Sequence, residues 1–335
     1  MKEIRLLLVF AVLTAFLVGC KRNTVEVREV ASFPLESSLV ADSVSIPPVA
    51  HSPFKMFIEP DRLVLFSLGK RPLFDFFSFP GLEYLYSYGD IGNARNEFSQ
   101  FDSNITHVSG NCYRLYQQYK KKIVEITLTE KGVVLTDELD VKIDGMLSGF
   151  SFLEGRRFLS FPWQGENAEY VIWNAETLTP SPFGEFPQYE DLSTGQDANR
   201  IFVRSPYPCP DGSRFVSFYG FFPRFRIYTS DGKLQTDVLL TQGTVDKVLP
   251  SGVRNRKYYA TKAVATASRF YVLSNVYELK DRIPVLQIWD WEGRPLAQYR
   301  LDRDWSCFSV SESEHRIYAV SSTAVDKIYV YSDLI

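Results

Sequence analysis

The feature that most constrains this sequence is a repeated order of strands and tight turns that runs from Phe54 to the end of the chain. Short runs of β-branched and aromatic residues alternate with turn residues, and helical periodicity is almost absent. Five tight turns recur about 45 to 61 residues apart, at Pro80-Gly81, Lys131-Gly132, Glu176-Thr177, Asp231-Gly232 and Glu292-Gly293. This spacing is typical of four-stranded propeller blades with loops of unequal length.

Five turns and the closing segment Trp305 to Ile335 make six units, which predicts an all-β, six-bladed β-propeller over residues 51–335, with four-stranded antiparallel blades. The pattern resembles the TolB-like and other six-bladed propeller lipoproteins of Bacteroidetes. The matching segments are Tyr88-Gly89-Asp90-Ile91-Gly92 leading to Asn96-Glu97-Phe98, Pro210-Asp211-Gly212-Ser213-Arg214-Phe215-Val216, and Ile288-Trp289-Asp290-Trp291-Glu292-Gly293-Arg294-Pro295-Leu296. These segments consist largely of residues that form turns, so the resemblance implies the fold rather than an activity.

The N-terminus has the pattern of an export signal. Lys2 and Arg5 precede an apolar run, and the run ends in Leu17-Val18-Gly19-Cys20, which resembles the bacterial lipobox. We therefore expect a lipoprotein signal peptide at 1–19, lipidation of Cys20 and a tether over 20–50. The alternative is a plain secretory signal. The Val25 to Val30 stretch is the candidate strand for closing the last blade.

Lipidation predicts a protein that is anchored to a membrane without spanning it. Lys21 follows the lipidated position, so the inner-membrane retention residue Asp is absent and the outer membrane of the cell envelope is the expected location, facing the periplasm or the surface. Asp42-Ser43-Val44 resembles the O-glycosylation acceptor motif of Bacteroidetes.

Charge and cysteine content narrow the partners. The net charge of −3 becomes −4 once the signal, which carries +1, is removed, and nucleic-acid-binding proteins normally carry a basic excess instead. Cys112, Cys209 and Cys307 are an odd set at wide spacing, so we interpret them as buried apolar residues, with one disulfide left open.

No linear pattern predicts catalysis, a cofactor or a metal. The three histidines, His51, His107 and His315, have no partners at metal-ligand spacing. Propellers host glycosidases, which need two acids about 5 to 9.5 Å apart. The candidate pairs are Glu190 with Asp191 and Asp302 with Asp304, and solvated loop charges are the alternative interpretation.

The loops between the second and third strands of the blades are expected on one face of the propeller, together with the connections between blades. They carry basic and aromatic residues, while acidic residues occupy the tight turns of the opposite face. The candidate ligand-binding residues are Lys70, Arg71, Trp163, Tyr219, Phe222 and Arg224. The alternatives are that the charges only keep the loops soluble and that the aromatic cluster Phe215 to Phe225 packs against the next blade.

The sequence thus predicts a membrane-anchored envelope protein whose propeller is a non-enzymatic binding or scaffold module for a protein or a glycan. The alternative is an envelope glycan hydrolase or lyase whose acids come from different blades.

Overall fold

The computed structural model of the chain is all-β apart from one turn of helix, α1 (Ala198–Ile201), in the part that it describes. It describes residues 25–47, 53–67, 72–92, 97–98, 105–143, 147–162, 167–188, 198–241, 260–275, 284–321, 323–332 and 334. The predicted signal peptide, residues 1–19, and Cys20 lie outside these ranges. Among the described residues, no helix is long and apolar enough to cross a membrane.

Six sheets of antiparallel strands form the blades of a propeller, as the turn pattern predicts. Blade 1 comprises β4 (Pro53–Ile58), β5 (Arg62–Ser67), β6 (Phe74–Ser78) and β7 (Tyr84–Tyr88), and a short pair, β8 (Asp90–Ile91) with β9 (Glu97–Phe98), follows it. Blade 2 comprises β10 (Thr106–Ser109), β11 (Cys112–Gln117), β12 (Lys122–Thr129) and β13 (Gly132–Asp140). Blade 3 comprises β14 (Ser151–Leu153), β15 (Arg157–Ser160), β16 (Tyr170–Asn174) and β17 (Pro180–Phe183).

The second half of the ring repeats this order. Blade 4 comprises β18 (Arg204–Pro208), β19 (Arg214–Tyr219), β20 (Arg224–Thr229) and β21 (Leu234–Leu240). Blade 5 comprises β22 (Ala260–Ala265), β23 (Arg269–Asn275), β24 (Pro284–Asp290) and β25 (Pro295–Leu301). Blade 6 contains β26 (Cys307–Ser311), β27 (Arg316–Val320) and β28 (Lys327–Tyr331).

The N-terminal segment supplies three further strands to blades 4, 5 and 6 in turn. β1 (Val27–Val30) pairs in parallel with β21, and β2 (Glu36–Leu39) pairs in parallel with β25. β3 (Asp42–Ser45) pairs antiparallel with β28 and is the fourth strand of blade 6. The closing strand is therefore Asp42–Ser45, and the expectation that Val25 to Val30 closes the last blade is wrong, because that segment lies on the outer edge of blade 4.

The predicted hairpin turns occupy the tight connections between third and fourth strands. Gly232 shows why the turn chemistry is specific: its φ is +87°, and an added Cβ would lie 2.7 Å from the Phe183 ring of blade 3. A side chain there would meet both backbone strain and a clash. The turn Pro210-Asp211-Gly212 likewise connects β18 to β19, as predicted for a hairpin.

The hydrophobic core is divided among the six boundaries between blades, because each sheet presents one face to each neighbour. At the boundary of blades 4 and 5, the Trp289 ring lies 4.8 Å from Phe225 and 4.9 Å from Phe33 of the N-terminal segment. The N-terminal segment thus packs into the core as well as pairing with outer strands. The burial of Phe218, Phe222 and Phe225 confirms the packing interpretation of the aromatic cluster.

Charged groups buried between blades 3 and 4 form a closed network. Asp237 accepts hydrogen bonds from Arg224 Nε at 2.6 Å and from Arg226 Nε at 2.7 Å. Arg226 Nη1 lies 3.3 Å from Glu169 Oε2, and Glu169 also accepts hydrogen bonds from the Tyr219 and Tyr228 hydroxyls. Burial, and then the Glu169 charge, raise the pKa of both tyrosines, so both stay protonated donors.

Candidate functional site: the central channel

A channel runs along the propeller axis and has a volume of about 1200 Å³. The first strands of all six blades line it: β4, β10, β14, β18, β22 and β26. Each of these strands is the inner edge of its sheet, so one side of its backbone has no strand partner. The channel wall therefore offers peptide N–H and C=O groups from six directions.

Aromatic side chains are placed between these polar backbone edges. Phe54 is 37% exposed, which is unusual for a phenylalanine on an inner strand. Phe57, Phe161 and Tyr207 are half-buried along the same wall. The combination of scattered hydrogen-bonding groups with apolar ring faces fits a ligand that is both polar and flat-faced.

The channel extends sideways into a cleft between blades 2 and 3. Arg114 and Glu125 of blade 2 line this cleft and form an ion pair of 2.8 Å. The Arg114 guanidinium lies 5.2 Å from the centre of the Phe152 ring of blade 3. The cleft is therefore bridged by a paired charge that also contacts the opposite wall.

The channel carboxylates with resolved geometry are engaged within the protein. Glu154 accepts hydrogen bonds from Ser230 Oγ at 2.6 Å and from Arg157 Nη2 at 3.4 Å. Asp211 accepts from the Ser213 amide at 3.0 Å, and this backbone hydrogen bond holds the pKa of Asp211 below its ordinary value. The remaining pairs are Glu125 with Arg114, Glu138 with Lys122, and Asp137 with the amide of Glu138.

Lys262 on β22 differs from these groups. Its Nζ lies 5.7 Å from the centre of the Phe54 ring, across the channel wall from blade 5 to blade 1, and no described residue forms an ion pair or hydrogen bond with it. Burial lowers the pKa of Lys262 because the ammonium is partly removed from water. By contrast, Lys55 Nζ donates to the Ile105 carbonyl at 2.9 Å.

His107 also lines the channel but is held by local contacts. Its Nε2 lies 2.7 Å from the Gly110 carbonyl oxygen. The centre of its ring lies 6.3 Å from the centre of the Phe57 ring and 5.1 Å from that of the Tyr113 ring. Within the described ranges, no three side chains of His, Cys, Asp or Glu are grouped to hold a metal ion.

The candidate ligand-binding residues from the sequence divide into two groups. Tyr219, Phe222 and Arg224 are buried, at 0%, 3% and 7% exposure, and belong to the core and network of blades 3 and 4. Lys70, Arg71 and Trp163 lie outside the described residues. The loops carrying them do connect second to third strands, as predicted, but ligand contact by any of the six stays a prediction.

The described structure does not place either candidate acid pair in the channel. Glu190 and Asp191 lie outside the described residues. Asp302 accepts hydrogen bonds from Tyr331 Oη and Arg303 Nη2, at 2.7 and 2.6 Å, and Asp304 lies 3.3 Å from Ser321 Oγ. Neither aspartate lines the channel.

The three cysteines are free thiols on alternate blades. Cys209 and Cys307 are buried and Cys112 is half-buried, which largely confirms their interpretation as core residues. Burial raises the pKa of Cys307 to about 12. They lie on blades 2, 4 and 6, and none of the three forms a disulfide in the described structure.

Sequence reasoning missed the channel residues Phe54, Lys55 and Lys262. The available signal was their position: each lies in the first strand of a repeat, and Lys262 directly precedes the small apolar run Ala263 to Ala265. First strands line the axis of a propeller, so a charged residue there faces the channel rather than bulk solvent.

Comparisons with known proteins support the fold. No protein-family model matches the sequence, and no curated protein matches it. A "Putative exported protein" from Bacteroides fragilis has a similar structure, with a TM-score of 0.55 and 8% identity over 92% of this chain and 100% of that chain. A DUF4221 family member from Bacteroides vulgatus has a TM-score of 0.57 and 8% identity over 88% of this chain and 97% of that chain. At this identity the likeness concerns the fold alone: the chain is a six-bladed β-propeller of the kind found in these two proteins.

Proposed function

We propose that this protein is a lipid-anchored module of a bacterial envelope that binds a glycan in its central channel without acting on it chemically. The observation that carries the proposal is the channel itself, about 1200 Å³ in volume. Pockets for small ligands typically measure about 300 to 1,000 Å³, so the channel has room for more than one sugar unit.

The channel wall favours a glycan over a peptide. A peptide that binds by strand addition needs one straight, open edge to pair with. Here six short edges converge on one axis, so their peptide groups point to a common centre. Hydroxyl groups spaced around a sugar can meet donors and acceptors from several directions, while Phe54, Phe57 and Tyr207 offer faces to the sugar ring.

A non-enzymatic role fits the state of the channel carboxylates. Glycoside hydrolysis requires one carboxylic acid with a proton to donate and a second carboxylate as base or nucleophile. Glu154, Asp211 and Glu125 are instead occupied by hydrogen-bond or ion-pair partners. Product analysis in the binding experiment distinguishes the alternative of a hydrolase or lyase.

Envelope location is supported by two observations of different kinds. The apolar run at the N-terminus ends in the lipobox-like segment Leu17-Val18-Gly19-Cys20. One protein of similar fold, from Bacteroides fragilis, is named as an exported protein. Lipidation of Cys20, outer-membrane residence and a relation to TolB-like lipoproteins belong to the proposal. β1 begins at Val27, so a lipidated Cys20 would hold the propeller within about 25 Å of the bilayer surface at full extension.

The binding experiment compares two matched tryptophan variants of the full chain, purified after processing in cells and screened against a glycan array and soluble polysaccharides. Ser205 is exposed on an inner strand and lines the channel, so Ser205→Trp narrows it. Ser181 is exposed on the outer strand of blade 3, so Ser181→Trp is the control. Glycan binding that is lost only in Ser205→Trp is expected. Absence of any glycan binding to the wild type overturns the proposal in favour of a protein partner.

Lipidation has its own test. Cells grown with an alkyne-labelled fatty acid are expected to label the wild-type protein and not Cys20→Ser, and the wild type alone is expected in the membrane fraction. Equal labelling of both forms would contradict the anchor, and export of an unlabelled protein would support the plain secretory signal.

A further inference from the structure

Lys262 is a charge that the described structure leaves without a counter-charge. The other channel cations are engaged: Lys55 with the Ile105 carbonyl, Arg114 with Glu125, Arg156 with Glu176, Arg157 with Glu154, and Arg204 with the carbonyls of Glu169 and Phe202. Lys262 alone among these described channel cations has only a ring contact, with Phe54. Removing an ammonium from water costs free energy unless an opposite charge or hydrogen bonds compensate.

The surroundings of Lys262 make that cost larger. Ala263, Val264 and Cys307 flank it on β22 and β26, and the exposed Phe54 ring faces it from β4. None of these groups accepts a strong hydrogen bond. Charged groups in such surroundings are commonly retained for a binding or catalytic purpose, because a neutral residue would stabilise the fold more.

We propose that Lys262 is the subsite for a carboxylate group of the ligand, and that the ligand is an acidic, uronic-acid type glycan whose sugar ring packs on Phe54. The inference rests on the proposed function, since it assumes that a glycan enters the channel. It adds the chemical class of that glycan and the residue that selects it.

The number of positive charges favours a carboxylate over a phosphate. A single ammonium neutralises a monoanion, whereas a phosphate monoester carries a charge of about −1.5 to −2 at neutral pH and would remain partly uncompensated. Phosphate sites usually supply an arginine fork or several backbone N–H groups. The side chains recorded beside Lys262, the Phe54 ring and the Cys307 thiol, supply no arginine fork.

The test follows Lys262 directly in the full-length protein labelled with ¹³C at the lysine ε-carbon. The Lys262 signal is assigned by its loss in Lys262→Met, and the exposed Lys142, which lies outside the channel, is the internal control. The probe is D-glucuronate, and its methyl ester is the neutral match. Glucose 6-phosphate is the third ligand.

Glucuronate is expected to shift the Lys262 signal saturably, with no such response to the methyl ester and a smaller response to glucose 6-phosphate. Equal responses to glucuronate and its ester, or equal shifts at Lys262 and Lys142, would overturn the proposal. A stronger response to the phosphate would replace the carboxylate with a phosphate.

The two proposals fail separately. If glycan binding depends on the open channel in the Ser205→Trp comparison but is unchanged in Lys262→Met, the channel function stands and the acidic subsite is wrong. If Ser205→Trp and Ser181→Trp bind glycans equally, the channel function itself is wrong, whatever Lys262 does.

Discussion

The boundary between blades 3 and 4 and the central channel handle charge in opposite ways. At the boundary, Asp237 is 2% exposed and is shared by two arginines, and Glu169 is fully buried with an arginine and two tyrosine hydroxyls around it. In the channel, the partly buried Lys262 has a ring contact with Phe54 but no ion-pair or hydrogen-bond partner among the described residues. One region is closed and fully compensated, and the other keeps one charge open.

This difference separates charges that stabilise the contact between blades from a charge that is available to a ligand. A buried charge that has partners within the chain contributes to holding two blades together, and losing one partner leaves the others uncompensated. A charge without such partners lowers stability, and for Lys262 we propose that a ligand supplies the missing counter-charge. The following experiments test that contrast, beginning with the largest expected effect.

Asp237→Ala should destabilise the protein most. It leaves the buried guanidinium groups of Arg224 and Arg226 without their shared carboxylate, which costs about 3 to 5 kcal/mol for a broken buried pair. Chemical denaturation measures the change. The control is Glu176→Ala, which breaks the exposed pair with Arg156 and should change the free energy of unfolding by less than about 1 kcal/mol. Equal effects of the two variants would contradict the assignment of the boundary network.

Glu59→Gln tests whether the same rule holds between blades 1 and 2. Glu59 is 2% exposed, forms an ion pair with Arg62 and accepts a hydrogen bond from the Tyr113 hydroxyl across the boundary. The amide keeps an acceptor but removes the charge, so a loss of about 1 to 3 kcal/mol is expected. A variant as stable as the wild type would limit the rule to blades 3 and 4.

Lys262→Met should have the opposite sign and a smaller size, because it removes an uncompensated charge. The folded-state pKa of Lys262 is lowered, so below that pKa the folded protein carries the full cost of the ammonium. As pH rises through the lowered pKa toward the ordinary value of 10.5, the folded form releases the proton before the unfolded form does, and the wild type gains stability. Thermal unfolding should therefore show the variant more stable at neutral pH and the two proteins converging toward pH 10.5. A variant less stable at neutral pH would contradict an open charge.

Phe54→Glu should give Lys262 an ion-pair partner within the protein. The new carboxylate would lie next to Lys262 Nζ, which is 5.7 Å from the present ring centre, and would serve as an internal counter-charge. The Lys262 signal should then stop responding to glucuronate, with little change in stability. The control is Phe54→Gln, which removes the ring without adding charge. If Phe54→Glu responds to glucuronate as strongly as Phe54→Gln does, the carboxylate does not reach Lys262.

Local turn chemistry made most of the fold predictable. Hairpins such as Asp211-Gly212 and Asp231-Gly232 are specified by residues adjacent in sequence, so the six units follow from their spacing. The closing strand was not predictable from the sequence, because Asp42–Ser45 is exposed along its length and has no alternation of apolar residues to mark it as a strand. Its position depends on pairing with β28, nearly three hundred residues away in the chain.

The candidate site was harder to predict than the fold for the same reason. Tyr219 and Arg224 have the composition of a binding loop, and only the positions of Glu169 and Asp237 show that they are buried partners of the core. Conversely, Lys262 has significance only beside Phe54 of blade 1 and Cys307 of blade 6. These relations join distant parts of the chain, and no local pattern encodes them.

The most direct test of the contrast is the pKa of Lys262, measured by ¹³C NMR on the lysine ε-carbon across a pH titration, first in the free protein and then with glucuronate. The account predicts a pKa below 10.5 in the free protein and a higher pKa with glucuronate, because a bound carboxylate stabilises the ammonium. It predicts no such rise with the methyl ester. An ordinary pKa that glucuronate leaves unchanged would contradict the claim that the channel holds an open charge for a ligand.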